Sequence, residues 1–236
     1  MNKTMNMPSI EIQQENARFM SGVYKWMTIG ILLTAFISYY VSRSPELINI
    51  IVMNKIVFYG LIIAQLGAVF YLSIRIKKMS SVTATLIYLA YAALTGLTLS
   101  VIFLIYTQDS IEQVFMITSF AFAGLSAFGY FTKRDLGPIG TFCTMGLFGL
   151  VGFSLISLFF PSLMTSQVSY VYSLAGVLIF SGLTAYDTQK IKASNILGNE
   201  GTDEDHKETI FGALTLYLDF INLFMMLLRL MGGRRK

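Results

Sequence analysis

Apolar stretches alternate with short polar segments along almost the whole chain. A membrane core about 30 Å thick is crossed by a helix of about 20 mainly apolar residues. Seven stretches meet this requirement: 17–41, 56–76, 82–106, 114–131, 139–160, 170–190 and 210–230. Because the connections are short, the sequence predicts one all-α transmembrane domain of seven helices over 17–230. A polar cytoplasmic tail at 1–16 and a basic tail at 231–236 would flank it.

The composition is that of an integral membrane protein. Hydrophobic residues make up 55% of the chain and charged residues 13%, and the mean hydropathy is +0.64, which excludes a soluble core wrapped in a polar surface. The only cysteine, Cys143, cannot form an internal disulfide. The only histidine, His206, cannot build a metal site by itself. We therefore expect no resident cofactor and no redox chemistry.

The basic residues lie in short clusters between the apolar stretches, without interleaved aromatic residues, so no nucleic acid partner is expected. With the N-terminus in the cytoplasm, most of them fall inside, and the outside connections hold only Arg43 and Lys55. Four more end the chain, on the side that seven crossings place outside: Arg229, Arg234, Arg235 and Lys236. Either this tail is translocated despite its charge, or the last segment is re-entrant. We favour seven crossings, because early helices usually dominate orientation.

A short motif occurs twice. The fourth apolar stretch contains FAGLSAF at 122–128, and the sixth contains FSGLTAY at 180–186. This similarity indicates either a parallel internal repeat or a chance match between helices that are rich in small residues. The copies differ in the next residue, which is Gly129 in the first and Asp187 in the second.

Two aspartates interrupt apolar stretches, Asp187 in the sixth and Asp219 in the seventh. At 1.5 Å per residue, Asp219 lies about 13 Å from Ile210, near the middle of the membrane, and Asp187 lies about one turn from the cytoplasmic lysines. Antiparallel neighbouring helices would bring both into the cytoplasmic half. Two carboxylates away from water cannot both ionise at low cost, so they would share a proton and sense pH. Alternatively, each only hydrogen-bonds to nearby hydroxyl groups or a helix end.

Polar and small side chains recur at spacings of three and four along the seventh helix, and they form one stripe: Glu208, Gly212, Thr215, Asp219, Asn222, Met226 and Arg229. Lipid cannot satisfy such a stripe, so it must face protein or water. We expect Thr215 and Asn222, together with Thr184 on the sixth helix, to support the two aspartates.

The stretches FSGLTAYDTQKI at 180–191 and LTLYLDFINLFMMLLRL at 214–230, with YAALTGLTLS at 91–100, resemble the signature of the Bax-inhibitor-motif membrane proteins. The resemblance covers most of the chain. It implies a seventh helix at the centre of the other six. It also implies a pH-sensitive leak of calcium ions, in which Asp187 and Asp219 act as the proton sensor and hold the transported Ca²⁺.

In that family a basic residue on the second helix acts as a latch by engaging an aspartate. Arg75 in YLSIRIKKMS matches this residue best, although Lys77 and Lys78 lie next to it. The alternative is a boundary arginine whose charge extends to the lipid headgroups.

Other functions remain open from the sequence. Two facing aspartates would also suit an intramembrane aspartyl protease, but the G-x-G-D motif of such enzymes is missing around both residues, so we expect no enzyme. The resemblance also implies a non-conducting regulator of a membrane-anchored AAA protease or another membrane partner, with residues 1–16 as its contact. The acidic segment GNEGTDEDHKE at 198–208 lacks EF-hand spacing and is expected to be a solvated loop. The short connections and the MGGRRK ending favour a bacterial inner membrane.

Overall fold

The computed structural model describes residues 9–235, and it contains seven long helices in this range. They are α1 Ser9–Ser42, α2 Lys55–Arg75, α3 Ser81–Leu99, α4 Gln108–Phe131, α5 Gly137–Phe159, α6 Ser166–Ser194 and α7 Asp203–Met231. Seven helical segments are long and apolar enough to cross a membrane. The predicted all-α fold with seven spans is therefore confirmed. Of the predicted tails, residues 1–8 and Lys236 lie outside the described residues, and the chain is helical from Ser9.

The third predicted stretch is not one continuous α-helix. The helix α3 ends at Leu99, and a short helix, Ile102–Ile105, follows. At the break the Ser100 hydroxyl donates to the carbonyl of Leu97 at 2.7 Å. A serine side chain that bonds to the preceding turn competes with the helical backbone. The span predicted over 82–106 is confirmed over Ser81–Ile105, with this break within it.

The described chain falls into two compact units. The first contains the residues up to Ile105 together with Ile191–Tyr217, and the second contains Tyr106–Lys190 together with the residues from Leu218 onward. Both α6 and α7 therefore contribute residues to each unit. The single domain predicted over 17–230 stays a prediction.

Burial differs sharply among the spans. In α7, 61% of the most apolar window is buried, whereas the corresponding share is 6% in α2 and in α5. Most side chains on α2 and α5 are thus exposed to lipid, which agrees with the apolar sequences of these helices. The high burial of α7 explains why its polar positions are tolerated. Its place at the centre of the bundle stays a prediction.

The helix α7 runs without interruption for 29 residues, a length of roughly 43 Å. Just beyond its end, the carbonyl of Gly233 accepts a bond from the Thr107 N–H at 3.0 Å. The Gly233 N–H in turn donates to the Ser110 hydroxyl at 2.9 Å. The chain end thus lies beside the connection between α3 and α4. This geometry fits seven crossings and does not fit a re-entrant last segment.

Candidate functional site

The carboxyl groups of Asp187 on α6 and Asp219 on α7 are neighbours that interact with each other, inside the second unit. Asp219 is buried, with 5% of its surface exposed, and Asp187 is partly buried. Among the described residues, Oδ2 of Asp219 has no hydrogen-bond partner. The two aspartates singled out by the sequence are therefore neighbours, with one carboxylate oxygen left unsatisfied in an apolar region.

A close contact between α4 and α6 fixes the backbone next to Asp187. A Cβ added at Gly129 would overlap the carbonyl group of Ala185. Glycine is required there because any side chain would separate the two helices. Gly129 follows the first copy of the repeated motif at the position that Asp187 takes after the second copy. This glycine thus allows α4 to approach α6, the helix of Asp187, closely.

Hydrogen bonds hold the residues that follow Asp187. The hydroxyl groups of Ser126 and Thr188 are 2.9 Å apart and both are buried. The side-chain amide of Gln189 donates to the carbonyl of Arg134 at 2.8 Å, and its oxygen accepts from the Leu136 N–H at 2.9 Å. The end of α6 is therefore attached to α4 and to the connection between α4 and α5.

Aromatic packing fixes α7 next to Asp219. The ring of Phe220 makes edge-to-face contacts with Phe122 and Phe115 on α4, with centroids 5.5 and 5.6 Å apart. Such aromatic pairs stabilise the packing by more than the burial of their apolar area alone. Both carboxylates thus project from backbones that are tightly packed on α4, so their separation is set by the fold.

The three residues expected to support the aspartates bond to their own helices. Thr184 donates to the carbonyl of Phe180 at 2.7 Å, and Thr215 donates to Phe211 at 3.0 Å. The Asn222 amide donates to Leu218 at 2.8 Å. These bonds satisfy polar groups inside the membrane without a second helix. The supporting role of Thr184, Thr215 and Asn222 stays a prediction.

The sequence places Asp187 about one turn from the cytoplasmic lysines, but none of them was named there as its partner. Lys190 lies one turn further along α6 and interacts electrostatically with Asp187. Its ammonium group also lies 5.6 Å from the ring centre of Tyr186. The spacing of three residues on one helix is the signal that could have identified it. Arg75, the predicted latch, is exposed at the end of α2 in the first unit, and its role stays a prediction.

The acidic segment 198–208 is only partly a solvated loop, which corrects the sequence-based expectation. From Asp203 onward it forms the first turns of α7, and Asp205 is 4% exposed. Asp205 is buried because Arg18 of α1 donates to both of its oxygens, at 3.1 and 3.3 Å. Arg18 also contacts Glu200, whose side chain is 64% exposed. The loop between α6 and α7 is thereby attached to α1.

A further pair of hydrogen bonds strengthens this attachment in the first unit. The carboxylate of Glu15 accepts from the Gly198 N–H, at 2.6 Å. Asp203 accepts from the Ser81 N–H at 2.9 Å, at the start of α3. Within residues 10–235 there is no group of three or more His, Cys, Asp or Glu side chains that could hold a metal ion. Glu200, Asp203 and Asp205 of this segment are therefore engaged with the protein.

Comparison with known proteins gives one consistent result. Residues 16–236 match the family described as inhibitor of apoptosis-promoting Bax1. The inner membrane protein YbhL of Escherichia coli is 45% identical over 218 residues, which cover 92% of each chain. An uncharacterised protein of Borreliella burgdorferi is 43% identical over 218 residues, covering 92% of this chain and 93% of that one. An uncharacterised membrane protein of Streptococcus pyogenes is 40% identical over 218 residues, covering 91% and 92%.

Proposed function

Since the chain belongs to the Bax1-inhibitor family of membrane proteins, we propose that it is a channel or transporter whose conduction responds to pH through Asp187 and Asp219. The family predicted from the sequence motifs is confirmed by the match over residues 16–236. The seven spans, together with the inner-membrane name of the relative from Escherichia coli, support a place in a bacterial inner membrane. The proposed cargo is Ca²⁺.

One observation carries this proposal: Asp219 is buried in an apolar helix, and its neighbour is another carboxyl group, Asp187. A buried carboxylate with a structural role is normally paired with a cation or accepts hydrogen bonds from several N–H groups. Here the partner is a second acid, and one oxygen of Asp219 remains unsatisfied among the described residues. Such a pair is stable only when it holds a proton or a cation.

The two occupants give two states of the pathway. With one proton shared, the carboxyl groups hydrogen-bond to each other and carry one negative charge. With both groups ionised, they repel unless a cation lies between them. Ca²⁺ takes six to eight oxygen ligands, of which two carboxylates supply only a few, so water and backbone carbonyls would complete its shell. An incomplete site suits an ion that passes through.

Two basic side chains are proposed to compete with Ca²⁺ for the ionised pair. Lys190 lies on the same helix as Asp187 and interacts with its charge. Arg75 is assigned the latch role by its match to the family motif. A basic side chain that engages the pair would close the pathway, and protonation of the pair would release it. Under this proposal the pathway is closed at higher pH, where the pair is ionised and engaged, and it opens as the pH falls and the pair is protonated.

The test is Ca²⁺ flux into liposomes that contain only the purified chain, measured with an internal calcium indicator between pH 5 and 8. We expect the wild type to conduct with a clear pH dependence. Asp219→Asn keeps the shape of the side chain and is expected to abolish that dependence. The matched control is Asp109→Asn, which removes an exposed carboxylate at the start of α4, and it should leave the curve unchanged.

Each other outcome has a defined meaning. Folded Asp219→Asn protein that conducts with the wild-type pH dependence would place the proton sensor elsewhere. Folded wild-type protein that conducts no Ca²⁺ at any pH would contradict the channel proposal and favour a regulator that acts on another membrane protein. Arg75→Gln separates the latch from the sensor, because loss of a latch raises flux at the closed pH and leaves the titration in place.

A further inference from the structure

An apolar groove of about 360 Å³ runs between α5 and α6 in the second unit. It is lined by Leu150 and Phe153 of α5 and by Gln167, Val168, Val171 and Tyr172 of α6. Gln167 is the second residue of α6. The groove therefore opens near the connection between α5 and α6, on the side that seven crossings place outside. Only 6% of the apolar window of α5 is buried, so this helix faces the lipid.

A cation borders this groove. The guanidinium carbon of Arg229 lies 5.4 Å from the ring centre of Tyr172. The Tyr172 ring is held in place because its hydroxyl bonds to that of Ser154, at 2.7 Å, and because it packs on Phe153. The guanidinium thus has a fixed support on the groove wall.

No protein carboxylate neutralises this cation in the described part of the chain. The ion pairs found among residues 10–235 involve Arg18 and Lys207, not Arg229. The adjoining connection from Phe160 to Thr165 contains no charged residue. An exposed arginine at the membrane boundary normally directs its charge to the headgroup region. Within residues 10–235, the charge of Arg229 is therefore open to an anion from outside this part of the chain.

The same end of the second unit carries an excess of positive charge. The chain end, with Arg234 and Arg235, is held there by the bonds between Gly233 and the start of α4. Two acidic residues lie at this start, Asp109 and Glu112, against the three basic residues Arg229, Arg234 and Arg235. Basic residues are uncommon on the translocated face. An anion in the membrane would balance them.

We infer that this groove binds an anionic phospholipid, with one acyl chain along the apolar walls and the headgroup phosphate beside Arg229. A guanidinium matches phosphate oxygens in a bidentate geometry, and stacking on an aromatic ring is compatible with that contact. The apolar walls favour an acyl chain over any polar ligand. The charge at the rim favours a lipid with net negative charge over a zwitterionic one. This site is independent of the proposed ion conduction.

The test places a fluorophore in the groove. Trp26 is the only tryptophan, so Trp26→Phe with Phe153→Trp gives one reporter at the groove wall. The protein is reconstituted in phosphatidylcholine membranes that contain either phosphatidylglycerol or phosphatidylcholine with brominated acyl chains, which quench the reporter on contact. We expect phosphatidylglycerol to bind about fivefold more strongly, the effect of one basic side chain near anionic headgroups.

Four further variants locate the effect. In the reporter protein, Arg229→Gln should remove the preference for phosphatidylglycerol, so that both lipids bind about equally. Arg229→Lys should retain part of this preference. Arg235→Gln removes an equal charge at the same end and should retain the full preference, which excludes general attraction to the surface. Val171→Phe narrows the groove and should weaken quenching by both lipids. Thermal unfolding of each variant verifies the fold.

Two results would overturn the inference. Equal quenching of the reporter by both lipids would mean that the groove takes any acyl chain and that Arg229 selects nothing. Weak quenching by both lipids would mean that a protein surface, such as a second copy of the chain, covers the groove.

Discussion

Arg18 and Asp205 are 187 positions apart, yet both terminal nitrogens of the guanidinium bond to the Asp205 carboxylate, at 3.1 and 3.3 Å. The contact joins α1 to the first turn of α7. The same carboxylate accepts a bond from the Gly201 N–H at 3.0 Å, which shapes the loop that precedes it. A bidentate pair of this kind is directional as well as strong. It fixes the loop whose two ends lead into the helices of Asp187 and Asp219.

Arg18→Gln is therefore expected to destabilise the protein, because it leaves Asp205 buried without its cation. Breaking a buried ion pair costs about 3–5 kcal/mol. The side chain of Arg18 is 36% exposed, so solvent screening lowers the expected loss to about 1–2 kcal/mol. The measurement is the free energy of unfolding in mixed micelles, by titration with a denaturing detergent.

The control uses the second partner of the same arginine. Glu200 has a side chain that is 64% exposed, so Glu200→Gln should cost about 0.5 kcal/mol or less. Asp205→Asn combined with Arg18→Gln should cost less than the sum of the single changes. Equal losses of unfolding free energy in Glu200→Gln and Arg18→Gln would show that the burial of Asp205 does not strengthen its ion pair with Arg18.

The sequence predicted the helices and the two central acids, because both signals are local. Apolar stretches of membrane length identify seven spans, and Asp219 stands out as the acid within the last one. The attachment of Arg18 to Asp205 could not be predicted, since it depends on how distant segments meet. The break after Leu99 was not predicted because the apolar stretch continues through it to Tyr106.

A second prediction concerns the contact of α4 with the helix of Asp187. Gly129→Ala would place a methyl group against the backbone carbonyl of Ala185, and a backbone cannot move aside as a flexible side chain can. We expect a loss of about 1–3 kcal/mol in unfolding free energy and altered pH dependence of flux. Gly124→Ala on the same helix is the matched control, because nothing lies within 4 Å of its added Cβ. Similar losses in both variants would contradict the close-packing argument.

A third prediction concerns Lys190, which interacts with the charge of Asp187. In Lys190→Gln the ionised form of the pair loses a stabilising cation, so protonation becomes easier. The midpoint of the flux curve should move toward higher pH, by about 0.5 to 1 unit. Lys133→Gln removes an equal charge from the exposed connection between α4 and α5 and should leave the midpoint in place. An unchanged midpoint in Lys190→Gln would exclude it as a partner of the ionised pair.

A fourth prediction concerns topology. Single cysteines in a Cys143→Ser background, treated in intact cells with a reagent that does not cross membranes, should separate into two groups. Positions 78, 133 and 192 are expected to be protected, and positions 43, 109 and 167 are expected to react. Position 233 should react with the second group, because Gly233 is bonded to the connection between α3 and α4. Protection at 233 together with reaction at 109 would contradict the seven crossings.

The last prediction is that Asp187 and Asp219 titrate as one unit. Their carboxyl groups are neighbours that interact with each other, and their helices are fixed by separate contacts, at Ala185 with Gly129 and at Phe220 with Phe122. The side chains therefore cannot move far apart when their protonation changes. Two neighbouring carboxylates away from water repel each other, so a state in which they share one proton is favoured over a state in which both are ionised. Protonation of either group then changes the proton affinity of the other.

Coupling is measured with a double-mutant cycle on the flux-versus-pH curve. Asp187→Asn, Asp219→Asn and the double variant are compared with the wild type in the same liposomes. Each single change removes the shared proton, so each should abolish most of the pH response, and the double change should add little to either. If the two carboxylates titrated independently, the shifts in the midpoint of the flux-versus-pH curve would be additive. A distance between spin labels at the two positions that is too long for contact would also separate them, and Asp187 would then be an ordinary helix-end carboxylate.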